Sequence, residues 1–212
     1  MKDIIILGSG GFAREVVWLL EENNKTKPEW NILGFVSDDE REERHKYPIL
    51  GDDEWLLQYN KEVSIACCIG DGSLRRRIID KFKKKENFHY PNLIADTVKM
   101  SESVKLGKGC IICAMSVLTV DIEIGDFLIC NLDCTIGHDA RIDDYVTLNP
   151  SVNVSGNVVI GRETSIGTGS NLIQGLRIGA GVTLGAGAVA VTDIPDKCTA
   201  VGVPAKVIKK GE

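Results

Sequence analysis

The feature that most constrains this chain is a series of apolar residues spaced six apart, from Ile94 to Ala190. Fourteen of its seventeen positions hold Leu, Ile or Val, and no insertion breaks the register. Repetition at six residues is typical of a hexapeptide β-helix, in which three short strands make one coil. Residues 18 apart then stack one strand spacing apart, about 4.8 Å. The series predicts between five and six coils, while the period alone does not establish their hand.

Glycine directly follows seven positions of this series. Since glycine adopts backbone conformations that are closed to other residues, we interpret these glycines as the points where the chain turns a corner after a strand. They are residues 107, 125, 137, 161, 167, 179 and 185.

The residues before the series have a different pattern, in which strands alternate with helices. "DIIILG", "NILGFV" and "VSIACCIG" read as buried strands, and "FAREVVWLLEEN" and "GSLRRRIIDKFKKK" have helical spacing. The basic runs of the second helix are interpreted as its solvent-exposed face. The chain is therefore predicted to have an α/β domain with a small parallel sheet over residues 1–90, followed by an all-β parallel β-helix over residues 91–212.

Composition excludes several classes of function. The net charge of −5 argues against nucleic acid as a partner, and no apolar run approaches the roughly 20 residues of a membrane span. The N-terminus does not have the pattern of a signal peptide, so we expect a cytoplasmic protein. Seven cysteines lie in apolar segments without a secreted framework, and "CIIC" lacks the partners of a zinc site. We expect neither disulfides nor a bound metal.

The β-helix series, together with "NLDCTIGHDARIDDY", "NVSGNVVIG" and "DIPDKCTAVGVPAKVIKK", resembles the left-handed β-helix acyltransferases. With "GSGGFAREV" and "GFVSDD" near the N-terminus, it is similar to the sugar acetyltransferase family that includes sialic acid O-acetyltransferases and N-acetyltransferases of nucleotide-linked amino sugars. The resemblance implies a left-handed coil and a homotrimer with active sites between subunits. It also implies transfer from acetyl-coenzyme A to a nucleotide-linked sugar, most simply an amino sugar destined for a surface glycan.

The motif "TIGHDA" carries the predicted catalytic residues. The resemblance makes His138 the general base and Asp139 its supporting acid, and an imidazole at a coil edge suits proton transfer near neutral pH. Gly156 lies one coil further on, and the resemblance assigns its N–H to the oxyanion. The alternative is a corner glycine needed only for its backbone. His45 and His89 lack such a context and are interpreted as incidental.

The stretch "GSGGFA" satisfies G-x-G-x-x-[G/A] between a strand and a helix, and Asp38 and Asp39 follow the second strand. A rival hypothesis is thus an NAD-binding protein whose β-helix is only a trimer scaffold. That hypothesis leaves the six-residue series unexplained. It also requires a dinucleotide-binding fold in only about 90 residues, fewer than such a fold with its substrate domain usually has. The resemblance instead implies that the nucleotide diphosphate of the sugar binds to four residues, Gly8, Gly10, Gly11 and Asp38. A tight turn would also explain the glycines.

Two further positions bear on the acceptor sugar. By resemblance, Asn131 lies near it, although Asn131 and Asn149 would also be spaced to form a hydrogen-bonded ladder. Many relatives carry histidine at Phe12, close to the sugar, and histidine in the segment "YVTL", where this chain has Thr147. The identity of the acceptor, and the choice between N-acetylation and O-acetylation of a sialic acid or other sugar hydroxyl, stay open.

The resemblance also implies that acetyl-coenzyme A lies in the groove between coils, against the last turns. Small residues in "GAGAVAVTD" and "VGVPAK" would let its pantetheine arm approach the backbone, and a lysine would meet a phosphate. A turn that merely caps the last coil would look the same. The predicted contacts are Gly185, Gly187, Ala188, Gly202, Pro204, Ala205 and Lys206.

Overall fold

A computed structural model describes residues 1–38 and 46–211 of the chain. Its N-terminal part alternates strands and helices as predicted. The five strands form one parallel sheet in the order β3-β2-β1-β4-β5. Asp39 and His45 lie outside the described residues. The elements are β1 (Lys2–Leu7), α1 (Gly11–Thr26), β2 (Trp30–Val36), β3 (Ile49–Gly51), α2 (Asp53–Gln58), β4 (Val63–Cys67), α3 (Gly72–Phe82) and β5 (Phe88–His89).

The last four residues of strand β1 are buried because helices cover both faces of the sheet. Ile4 and Ile6 pack against α1, whereas Ile5 and Leu7 pack on the opposite face against α2 and α3. A strand whose side chains are buried on both sides reads as a continuous apolar run, which is why "DIIIL" shows no polar alternation.

The remaining strands wind into a three-sided coil. They are β6 (Leu93–Ile94), β7 (Lys99–Met100), β8 (Lys105–Leu106), β9 (Ile111–Ile112), β10 (Val117–Leu118), β11 (Glu123–Ile124), β12 (Ile129–Cys130), β13 (Thr135–Ile136), β14 (Arg141–Ile142), β15 (Thr147–Leu148), β16 (Asn153–Val154), β17 (Val159–Ile160), β18 (Ser165–Ile166), β19 (Asn171–Leu172), β20 (Arg177–Ile178), β21 (Thr183–Leu184), β22 (Val189–Ala190), β23 (Cys198–Val201) and β24 (Lys206–Lys210).

Every third strand stacks on the same side of the coil. Face 1 contains β6, β9, β12, β15, β18, β21, β23 and β24; face 2 contains β7, β10, β13, β16, β19 and β22; face 3 contains β8, β11, β14, β17 and β20. Val117 pairs with Thr135, which pairs with Asn153, and neighbouring strands from β6 to β22 are 18 residues apart. The predicted coil length is therefore confirmed. Only β24 at the C-terminal end runs antiparallel to its neighbour.

The six-residue series forms the core of the coil. All fourteen of its positions from Ile112 to Ala190 are buried. The first three positions, Ile94, Met100 and Leu106, are only partly covered, and Met100 is 38 % exposed. They belong to the first coil, whose outer end has no further coil stacked on it.

The glycines that follow the series do not adopt the special backbone that we predicted. Positive φ instead recurs three residues after each core position, at every sixth residue from Gly109 to Gly187, and includes Asp139 at 60°. Gly137 has no such φ, but a Cβ on it would lie 2.6 Å from the N atom of Gly156 in the next coil. These glycines are needed because successive coils approach closely, so the predicted reason was wrong.

The N-terminal part packs on face 1 of the coil. The outward side chains of its first three strands are the apolar Leu93, Ile111 and Ile129, and all three are buried. Helix α1 adds a polar contact, since the Asn23 amide donates to the Ile94 carbonyl at 2.7 Å and accepts a backbone N–H at 3.1 Å. Faces 2 and 3 carry mainly polar outward residues.

Helix α3 departs from its prediction at one residue. The run "RRR" was expected to face solvent, and the second and third arginines do. Arg75 is only 1 % exposed, and its side chain points from α3 towards the coil, on the same side of the helix as Ile79 and Phe82. None of the helices in the described ranges has the length and apolarity that a membrane crossing requires.

Candidate functional site

His138 lies at the edge between faces 2 and 3, directly after β13. Its Nδ1 is 2.7 Å from Oδ2 of Asp139, and both side chains are about half exposed. A histidine held through Nδ1 by a carboxylate presents Nε2 to a reactant, with its ring orientation fixed. The pair predicted from "TIGHDA" is thus in hydrogen-bonding contact.

Gly156 lies directly against the imidazole of His138. A Cβ built on Gly156 would be 2.5 Å from Nε2 and 2.6 Å from Cε1 of the ring. Gly156 does not have positive φ. Its lack of a side chain therefore makes room for the histidine, and a backbone requirement does not explain it.

The backbone N–H of Gly156 is also available for bonding. At equivalent edge positions, the N–H groups of Lys108 and Ala180 are accepted by carboxylates of Asp126 and Asp196, both at 2.9 Å. Gly156 N–H has no acceptor among the residues that the structure describes. A backbone N–H that has no acceptor and lies beside an imidazole is the kind of donor that stabilises a developing oxyanion.

The loop after β1 forms a second candidate region, where the order of the strands reverses between β1 and β4. Gly8 has φ of +101° and is needed for the turn. Beside Gly10 a Cβ would meet nothing within 4 Å, and beside Gly11 only the Arg14 guanidinium at 3.9 Å. The tight-turn alternative therefore explains Gly8 but not the other two. Open space at the N-terminus of a 16-residue helix suits a phosphate.

Asp38 and Phe12 are the other residues predicted to belong to this region. Asp38 is exposed after β2, and the loops that follow β1 and β2 are joined by a 2.8 Å hydrogen bond between Ser9 and Ser37. Phe12 is partly buried and packs on the apolar cluster under α1.

Asn131 lies at the edge between faces 1 and 2. Its Oδ1 accepts the N–H of Leu132 at 2.7 Å, while the Asn149 amide donates to the Ile166 carbonyl at 2.8 Å. The ladder of Asn131 and Asn149 that we considered is therefore wrong. A polar ladder does form on face 2, where Asn153 and Asn171 are bonded at 3.2 Å.

The residues predicted to contact acetyl-coenzyme A lie at the last coils. Gly187 has open space beside it, and Gly202, Pro204 and Lys206 are exposed. Ala188 differs, because its side chain is 0 % exposed and forms part of the coil core. Only its backbone can reach a groove. The Gly185–Ala188 turn, like Asn131, is at the edge between faces 1 and 2. His138 is at the edge between faces 2 and 3.

The cysteines lie away from these regions. All seven are free and buried, and burial raises the pKa of the Cys67 thiol to about 12. A thiol in this state is a poor nucleophile. The described residues contain no group of three or more His, Cys, Asp or Glu that would hold a metal ion. His89 is exposed and bonded to Glu62 at 2.5 Å.

Comparison with known proteins extends these observations. The family model for the PglD N-terminal domain matches residues 3–82. The acetyltransferase domain of PglB from Neisseria gonorrhoeae, solved in complex with acetyl-coenzyme A, is 32 % identical over 98 % of this chain and 99 % of that chain, with a TM-score of 0.90. Comparison with curated proteins gives no match.

Two further solved structures agree over the whole length. Perosamine N-acetyltransferase from Caulobacter crescentus, with a histidine replaced by asparagine and with coenzyme A and GDP-perosamine bound, is 30 % identical over 100 % of this chain and 98 % of that one, with a TM-score of 0.86. WeeI from Acinetobacter baumannii is 27 % identical over 98 % of this chain and 100 % of that one, with a TM-score of 0.87.

The fold and the His138 edge define a hexapeptide-repeat acyltransferase with a left-handed β-helix. Within that class, the chain belongs to the family of sugar acetyltransferases that includes PglB and perosamine N-acetyltransferase.

Proposed function

We propose that this protein transfers an acetyl group from acetyl-coenzyme A to a nucleotide-linked amino sugar used in a surface glycan. The observation that carries the proposal is the His138–Asp139 pair, packed against a glycine whose N–H has no acceptor in the described residues. The ligands bound to its relatives support the two substrate classes, since one carries acetyl-coenzyme A and another carries coenzyme A with GDP-perosamine.

In the proposed reaction, Nε2 of His138 removes a proton from the sugar amine as its nitrogen adds to the thioester carbonyl. Asp139 keeps the ring oriented through Nδ1, and the N–H of Gly156 donates to the oxyanion of the tetrahedral intermediate. The carbon–sulfur bond then breaks, and the proton held by His138 passes to the leaving thiolate. No acyl-enzyme is required, in keeping with the burial of all seven cysteines.

The active site is proposed to lie between subunits of a homotrimer. The N-terminal part packs on face 1 of the coil. It contacts Ile111 on that face and Tyr145 at the edge between faces 1 and 3. His138 is at the edge between faces 2 and 3, the one farthest from this packing. A nucleotide sugar bound at the β1 loop would therefore meet the His138 of a neighbouring chain.

Along one chain, the Gly185 turn and His138 lie at different edges of the coil. The Gly185 turn shares its edge with Asn131 and lies three coils beyond it, about 14 Å along the axis at about 4.8 Å per coil. Acetyl-coenzyme A would follow a groove between two coils, with its nucleotide at Gly202 to Lys206 and its thioester at His138.

We further propose that residues 1–90 bind the nucleotide sugar, that residues 91–212 bind the coenzyme and that the protein is cytoplasmic, as its free thiols suggest.

The first test is a thermal-shift comparison with acetyl-coenzyme A, NAD and a panel of UDP-, GDP-, TDP- and CMP-sugars. We expect stabilisation by acetyl-coenzyme A and by one class of nucleotide amino sugar. Stabilisation by CMP-sialic acid alone would favour O-acetylation. A response to NAD without any response to acetyl-coenzyme A would contradict the proposal and favour the dinucleotide-binding rival.

A further inference from the structure

The contact between α3 and the coil is built around a buried cation. Arg75 has no carboxylate partner within the described ranges, and burial lowers its pKa to about 10, which leaves it charged at neutral pH. Its guanidinium donates instead to five backbone carbonyls at 2.5–3.1 Å. They belong to Ile69, Gly70, Phe127, Tyr145 and Val146.

These carbonyls belong to two parts of the chain that are distant in sequence. Ile69 and Gly70 form the loop between β4 and α3, whereas Phe127 and Tyr145 occupy the same edge position in two successive coils and their rings stack at 5.2 Å. The planar guanidinium has five N–H donors in a fixed arrangement, so it orients all of its acceptors together. Arg75 therefore ties the loop after β4 to the coil.

Thr147 completes this arrangement from the coil side. Its hydroxyl donates to the Gly70 carbonyl at 2.6 Å and accepts N–H groups of Arg75 at 3.2 Å. Thr147 is 4 % exposed. One hydroxyl thus bonds to both the loop and the cation that holds the loop.

The loop held in this way contacts the loop of the β1 glycines. A Cβ on Gly8 would lie 3.5 Å from the Cys68 carbonyl and 3.6 Å from Ile69, so the loops after β1 and β4 are in contact. Beside Gly70, as beside Gly10, a Cβ would meet nothing within 4 Å. Open α/β sheets bind ligands at the point where strand order reverses, between two such loops.

We propose that Arg75 and Thr147 are positioning residues that hold the loop of residues 68–72 in the conformation that binds the nucleotide part of the sugar substrate. This rests on the proposed function. Arg75 and Thr147 bond to each other on face 1, whereas His138 lies at the edge between faces 2 and 3. It sets the width of the nucleotide site and fixes that site on the coil, so its loss is expected to weaken nucleotide binding while coenzyme binding is retained.

The test measures dissociation constants by calorimetry for UDP, GDP and TDP, and separately for coenzyme A. Thr147→Val keeps the shape of the side chain and removes the hydroxyl. We expect it to raise the dissociation constant of the diphosphate that the wild type binds by about fivefold or more, with coenzyme A binding unchanged. Thr147→Ser is expected to restore binding.

Thr164→Val is the matched control. Thr164 is 1 % exposed and lies beside Thr147 in the next coil, but its hydroxyl bonds only within the coil, donating to the Gly179 carbonyl at 2.7 Å and accepting the Val182 N–H at 3.1 Å. We expect it to leave both dissociation constants unchanged. The proposal is overturned if Thr147→Val binds the diphosphate like the wild type, if it weakens the diphosphate and coenzyme A alike, or if Thr164→Val weakens the diphosphate as much as Thr147→Val does. A wild type that binds coenzyme A but none of the diphosphates would contradict the proposed acceptor itself.

Discussion

Replacing Gly156 with alanine tests how closely the imidazole of His138 must be placed. The new Cβ would lie 2.5 Å from Nε2, about 1 Å inside an ordinary contact of roughly 3.5 Å between non-bonded atoms. The ring is half exposed and would move towards solvent, whereas the backbone N–H of residue 156 would be retained. The substitution therefore displaces the base without removing the proposed oxyanion donor.

The displacement fixes the expected size of the effect. A shift of about 1 Å in a catalytic group costs about a hundredfold in rate, which corresponds to about 2.7 kcal/mol of activation free energy. We expect kcat to fall by about this factor, measured as release of the coenzyme A thiol. The thermal unfolding midpoint should change little, because Gly156 does not have positive φ and the ring can move into solvent.

A double-mutant comparison assigns the loss to the histidine. In a His138→Ala background the new methyl group has no ring to displace, so Gly156→Ala should cause little further loss. Equal losses from Gly156→Ala in both backgrounds would refute the reasoning, and so would a kcat for Gly156→Ala close to that of the wild type.

Four other experiments test particular contacts. Arg75→Met should lower the free energy of unfolding by about 3 kcal/mol, because it leaves several buried carbonyls unpaired. Arg76→Ala breaks a partly exposed ion pair with Glu163 and should cost less than about 1 kcal/mol; urea unfolding measures both changes. Gly137→Ala should destabilise the coil by about 1–3 kcal/mol, since its Cβ meets backbone at 2.6 Å, and an unchanged thermal midpoint would contradict this. Gly10→Ala should change the free energy of unfolding by less than about 1 kcal/mol but weaken binding of the nucleotide sugar in calorimetry. None of the seven buried cysteines should react rapidly with a thiol reagent in the native protein, and all seven should react in urea; fast native labelling would contradict their burial.

The coil could be predicted closely from sequence because its register is local. Each hexapeptide contributes inward residues at fixed positions, so the apolar period gives the strand spacing and the stacking of residues 18 apart. The role of the glycines could not be read in the same way. Glycine is favoured both where two backbones approach closely and where φ is positive. Only the three-dimensional backbone shows that Gly137 is needed for close approach, and that the positive φ falls at Asp139 instead.

The candidate site was predicted less completely than the coil. The His138 pair is adjacent in sequence, and Gly156 follows at the coil length, so the motif and the period were enough to bring them together. Arg75 was missed because a run of three arginines suggests solvent. Its spacing of four from Ile79, and of seven from Phe82, was the signal that it shares their buried side of α3. Its acceptors are backbone carbonyls, which no sequence pattern marks.

The most direct test of the account compares the wild type with His138→Ala, using acetyl-coenzyme A and the nucleotide amino sugar that gives the largest thermal shift. If His138 is the general base, kcat should fall by about a hundredfold or more, while the oligomeric mass and the dissociation constant of acetyl-coenzyme A stay the same. A variant that folds, binds the coenzyme and turns over at a rate close to that of the wild type would contradict the central claim.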